Sequence, residues 1–174
     1  MRKYLFIVLA MLSVTTVMNA QNVVKRVVEN TNKGDSKKHY NYLLLDAVNY
    51  SDAVYSEYEK KVQDVWDKKI SADLRKGKTE AFKEIDKYLD IVKTTPIYKG
   101  GEEYQLAVLT YINSVKAKVE ALENLGILGD DPNADAIEYN NASIKFTDVS
   151  NQTIDLRNIV RDKKSTYEKT FYIE

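Results

Sequence analysis

From Ser36 to about Lys69, Tyr40, Leu44, Ala47, Ser51, Val54, Tyr58, Val62 and Val65 recur at steps of three and four, with few breakers between them. At 3.6 residues per turn that spacing places all eight on one side of a long helix. A second helix is expected over 79–94, with Phe82, Ile85, Tyr88, Leu89 and Val92 on its apolar side and Thr79 as its cap. Ser71 to Lys78 offer a backward extension of it, but Gly77 inside that stretch costs up to ~1 kcal/mol against Ala in a helix interior and predicts a break there. Pro96 ends this helix, because the residue before a proline is pushed out of the α region. Glu102 and Glu103 suit the positive end of a third helix over 102–125, whose apolar face is Tyr104, Ala107, Val108, Tyr111, Ile112, Val115, Val119, Leu122 and Leu125. Gly126 is its expected stop. Asp131-Pro132 then matches a cap followed by proline in the first turn. A fourth helix is expected over 132–170, carrying Tyr139, Ala142, Phe146, Val149, Thr153, Leu156, Val160, Tyr167 and Phe171.

Four helices, each apolar along one stripe and joined by short loops, bury those stripes most simply in an antiparallel four-helix bundle. The fold class is therefore all-α, with two long helices (36–69 and 132–170) and two shorter ones between them. No motif repeats at an interval of 20–50 residues, which argues against a solenoid.

The first residues follow a different pattern. Arg2 and Lys3 precede an uncharged, largely apolar run from Tyr4 to Met18, and Asn19-Ala20 is followed by Gln21-Asn22. This reads as a signal peptide over 1–20, cut after Ala20, with an apolar part shorter than the ~20 residues that span a bilayer. Residues 21–35 form an arm around Val23, Val24, Val27 and Val28, closed by Asn32-Lys33-Gly34-Asp35, and 36–174 form a single domain. No later run is long and apolar enough for a membrane span. A short leader ending in Asn-Ala before Gln, then a cysteine-free helical bundle rich in Tyr, Lys and Asn, resembles the uncharacterised exported helical-bundle proteins of Gram-negative bacteria. The resemblance implies export, to the periplasm or the cell surface, and it carries no catalytic residue with it.

Composition narrows the chemistry. The 174 residues carry 26 basic and 26 acidic side chains, and taking Arg2 and Lys3 away with the leader leaves 24 against 26. That balance supplies no excess field for nucleic acid. All three methionines lie within residues 1–20, there is no cysteine, and His39 is the single histidine. Di-iron bundles need two Glu-x-x-His motifs and covalent haem needs Cys-x-x-Cys-His, so neither pattern is available. Asp131, Asn133 and Asp135 alternate like the opening of a calcium loop, but Ala136 replaces the required glycine and Ala142 the bidentate Glu. The expected roles of these acids are helix capping and dipole compensation. No cofactor and no metal are expected, and no nucleophile with an oriented base can be located, so the protein is read as a non-enzyme. Asn49, Asn141 and Asn151 head glycosylation acceptor triplets that fall inside helices and read as chance matches.

Two features remain. Tyrosine is abundant, 13 against four phenylalanines, and Tyr40, Tyr58, Tyr104, Tyr111 and Tyr139 fall on or beside the core stripes with hydroxyls reaching across the bundle. Tyr42 falls on the opposite side. Leu106, Leu109, Ile137 and Ile144 lie off the stripes and, with Tyr42, form the candidate contact surface. The arm is the expected cover for those aliphatics, and another envelope protein or a second copy is the functional alternative. The expected function is a non-enzymatic envelope protein acting by protein contact or as a structural component. The alternative is a periplasmic carrier holding an apolar or aromatic small molecule between tyrosine-lined helices.

Overall fold

A computed structural model describes residues 37–170. The leader, the valine arm and Phe171 lie outside the described residues. Four helices follow one another: α1 (Lys37–Trp66), α2 (Leu74–Thr94), α3 (Glu102–Asp130) and α4 (Ala136–Lys169). They pack as a four-helix bundle, and there is no strand among the described residues. α3 packs against all three other helices, and α1 and α2 also pack against each other.

The stripes end where the periodicity puts them. All eight stripe residues of α1 and all nine of α3 are buried. In α2, Ile85, Tyr88, Leu89 and Val92 are buried and Phe82 packs partly buried against them. α4 meets α3 along the three-four series 139, 142, 146, 149, 153, 156, 160 and 167, a 3.5-residue repeat suited to a left-handed seam. Cross-links set the register: Thr153 donates to the Ser114 carbonyl (3.4 Å), Arg157 to the Tyr111 hydroxyl (3.1 Å), and Lys163 pairs with Glu103. α2 is tied to α3 by Lys78–Glu123 (2.7 Å) and by Lys116–Asp86 (2.6 Å).

Three expected boundaries are corrected. α2 begins at Leu74, not Thr79, and runs unbroken through Gly77, because Asp73 accepts from the backbone N–H groups of Arg75 and Lys76 and starts the helix early. Gly77 is buried against α1, where an added Cβ would stand 3.1 Å from Tyr58 Cε2 and 3.2 Å from Lys61 Cδ. α3 continues past Gly126 to Asp130. A Cβ at Gly126 would meet Leu74 Cδ1 at 2.9 Å, and one at Gly129 would meet Trp66 Nε1 at 2.7 Å, so these glycines admit neighbouring side chains rather than stop the helix. The Trp66 indole donates to the Gly126 carbonyl at 2.9 Å. α4 starts at Ala136 under an Asp135 cap, while Asp131 accepts from the Asn133 N–H in the preceding turn.

Candidate functional site

Tyrosines furnish most of the polar chemistry inside the bundle. Tyr40, Tyr98, Tyr104 and Tyr167 cluster where α1 and α3 begin and α4 ends, with ring centroids 5.5 Å apart for Tyr40–Tyr167 and 5.8 Å for Tyr104–Tyr167. Tyr40 donates to Gln105 Oε1 and lies 3.2 Å from the Gly101 carbonyl, while Gln105 Nε2 donates to the Val92 and Thr95 carbonyls that end α2. The Tyr58 hydroxyl donates to the Leu74 carbonyl (3.0 Å), Tyr50 to Glu84 (2.9 Å) and Tyr55 to Glu59 (2.6 Å). Tyr50 and Tyr88 stack with centroids 3.9 Å apart. Burial pushes the pKa of Tyr40, Tyr50, Tyr55, Tyr58, Tyr88, Tyr104 and Tyr167 up, to about 12 for Tyr88 and Tyr167. Tyr104 differs from the rest, since its hydroxyl is buried without a hydrogen-bond partner among the described residues.

A charged cluster joins three helices midway along the bundle. Asp52 of α1 accepts from the Tyr111 hydroxyl of α3 and pairs with Arg157 of α4, whose guanidinium also lies over the Tyr111 ring, 5.3 Å from its centroid. Burial lowers the Arg157 pKa and raises that of Tyr111. Each Asp52 oxygen takes one of the two partners, so the trio ties α1, α3 and α4 together.

Two grooves lie between helices, both open to solvent. One, of about 510 Å³, runs between the start of α1 and the end of α4, lined by Lys38, Asn41, Tyr42 and Leu45 facing Lys164, Ser165, Glu168 and Lys169. Asn41 is buried, donates to Glu168 Oε1 at 2.9 Å, and has an Oδ1 with no partner among the described residues. Glu168 also takes Lys164 at 2.6 Å, and that hydrogen bond is the main reason its carboxyl pKa is lowered. The second groove, about 170 Å³ between α1 and α2, is lined by Tyr50, Glu57, Tyr58, Lys61, Glu80 and Glu84 among others. Glu84 there is held ionised chiefly by Lys87.

The residues singled out from the sequence do not form one surface. Leu106, Ile137 and Ile144 are exposed, at 64%, 70% and 53%, and Tyr42 is exposed at 55%. Leu109 instead packs partly buried against the core. In the α3–α4 register, Leu106 is level with about residue 162, some 18 residues from Ile144, or ~27 Å along the axis. Tyr42 belongs to the α1/α4 groove at the same end as Leu106. Ile154 and Ile159 are exposed as well and were not picked out, although both fall off the three-four series of α4 and were detectable on that ground. His39 sits in the first turn of α1, and Asp135 and Asp131 accept from backbone N–H groups. Compared with known families, curated proteins and solved structures, the chain matches none of them.

Proposed function

We propose that this is an exported, non-enzymatic helical bundle of the cell envelope that works by contact with another protein or as a structural component. The observation that supports this reading is the outward side of α4. A helix of 34 residues buries only Ala142, Phe146, Ser150, Thr153, Val160 and Tyr167, and it exposes Ile137, Ile144, Ile154 and Ile159. Ile137 and Ile144 are one heptad apart and share a side of the helix with Asn140, Asn141, Thr147 and Asn151, and with exposed Asp148 as the charge nearest the pair. Aliphatic side chains among mostly neutral polar ones suit a contact face, since burying them desolvates one carboxylate rather than a run of charges. The export half of the proposal rests on residues 1–22. The carrier alternative draws no support from the tyrosines, whose hydroxyls are mostly engaged by carbonyls and carboxylates of the bundle itself.

Native mass spectrometry of the protein recovered from its own envelope fraction and medium, without refolding, tests both halves. The expected species has the mass of residues 21–174 and carries a non-covalently held protein, which is lost from an Ile137→Lys/Ile144→Lys variant of unchanged helicity. A turnover activity that disappears on changing one polar residue, with the fold intact, overturns the non-enzymatic reading. Attached mass that is a small molecule and persists in the double variant favours the carrier.

A further inference from the structure

We infer that the α1/α4 groove is the docking site of the chain's own valine segment, residues 23–31, over Tyr42 and Leu45. Reach decides where the segment can go. α1 begins at Lys37, whose Nζ donates to the Thr170 carbonyl at 2.8 Å, so the preceding chain enters directly beside the groove. The apolar pair on α4 is far away: Asn41–Glu168 and Asp52–Arg157 put Ile144 level with about residue 65 of the first helix and its following turn. That is ~42 Å along the axis from Lys37. Even fully extended, at ~3.4 Å per residue, Val28 reaches only ~31 Å from Lys37 and Val27 ~34 Å. The groove from Lys38 to Leu45 lies within ~12 Å. The expected cover for Ile137 and Ile144 is therefore out of range for half of the valines, and the groove is in range for all of them.

The chemistry of the groove matches the segment. Val23, Val24, Val27 and Val28 fall at i, i+1, i+4 and i+5, which gathers them on one side, with Lys25 and Arg26 left to face solvent. Tyr42 and Leu45, with the aliphatic stems of Lys38, Lys164 and Lys169, offer an apolar strip of similar length. Asn41 Oδ1 is a buried acceptor in the groove lining that the described residues do not satisfy, and such groups are seldom left unpaired. Thr31, Asn30 and Asn32 bring donors to it. Lys164 already pairs with Glu168, and Glu29 and Asp35 are acids of the segment complementary to Lys38 and Lys169.

The absence of cysteine from the chain makes the test clean. Cysteine pairs are placed in the full chain, Val27→Cys with Leu45→Cys, with Leu106→Cys or with Ile144→Cys, and dilute protein is mildly oxidised. The expected result is an intrachain disulfide for the Leu45 pair that forms at least several-fold faster than for the Leu106 pair and does not form for the Ile144 pair. Equal bonding to Leu106→Cys, no intrachain bond at all, or a bonded dimer joining Val27→Cys of one copy to Leu45→Cys of another each overturns the assignment, the last by seating a second copy in the groove. A separate reading guards against a misfolded pair: radical footprinting of Tyr42 is expected to rise several-fold when residues 21–35 are deleted, and unchanged labelling overturns the proposal.

Discussion

Tyr40 and Tyr104 are neighbours in one aromatic cluster, yet their hydroxyls are in opposite situations. Tyr40 satisfies Gln105 and reaches Gly101, at the junction where α2 ends and α3 begins. Replacing it with phenylalanine strands a buried carboxamide oxygen, and leaving such a group unsatisfied costs about 1–3 kcal/mol. The Tyr104 hydroxyl is buried without a partner among the described residues, so Tyr104→Phe removes a desolvated polar atom and breaks nothing. Urea unfolding of the two variants is expected to show a loss of that size for Tyr40→Phe and no loss, or a gain of up to ~1 kcal/mol, for Tyr104→Phe. A Tyr104→Phe loss as large as that of Tyr40→Phe would mean that the buried hydroxyl is satisfied after all. The tyrosine positions were legible from periodicity, which put Tyr40, Tyr58, Tyr104 and Tyr111 inside and Tyr42 outside. What each hydroxyl bonds was not, since partners such as Gln105 or Asp52 depend on which helices meet and at what height.

Glycine has a different meaning at the level of the helix. Gly129 was expected to lie beyond the end of α3, and it lies within it, beneath the Trp66 ring. Gly129→Ala gains up to ~1 kcal/mol of helix propensity but sets a Cβ 2.7 Å from the indole nitrogen, and overpacking of this kind costs about 1–3 kcal/mol. The net expectation is destabilisation by about 1 kcal/mol, with a red shift in the emission of Trp66, the one tryptophan of the chain, as the ring is pushed toward water. Unchanged emission and raised stability would show that the turn simply relaxes. The same reasoning explains which helix limits could be read in advance. Stripes are periodic and therefore visible, whereas the starts of α2 and α4 depend on whether Asp73 or Thr79, and Asp135 or Asp131, takes the cap, and several residues of the right type compete. Gly77, Gly126 and Gly129 look like breaks until the neighbouring helix is present to explain them. The exposed aliphatics were legible only residue by residue: exposure of Leu106, Ile137 and Ile144 followed from their off-stripe positions, but their distribution over two ends of the molecule required the register between α3 and α4.

The molecule as a whole carries its tyrosines as a shared alkaline liability. Eight buried phenols, Tyr40, Tyr50, Tyr55, Tyr58, Tyr88, Tyr104, Tyr111 and Tyr167, have pKa values raised from the ordinary 10.0, primarily by burial. Below pH 10 both folded and unfolded chains hold these protons, and stability does not depend on them. Above it the unfolded chain releases protons that the folded chain retains, so stability falls as pH rises from about 10 toward 12, the region in which Tyr88 and Tyr167 ionise in place. Tyrosinate absorbance is expected to rise late and steeply, in one step with the loss of helical circular dichroism. A gradual rise centred near pH 10 with the helix signal intact would contradict the burial of these rings. The clasp between Lys37 and Thr170 has a further, mechanical meaning. The described chain enters and leaves the bundle at one pole, while the turns at 67–73 and 131–135 occupy the other, ~45 Å away along α1. Tension applied through the two flanking segments would pull across a hydrogen bond and a few side chains at that pole instead of along the core, peeling the ends apart like a zipper. Ile137 lies near the opposite pole, about the full length of α1 from that junction, so a pull there would leave the environment of Ile137 the last to change.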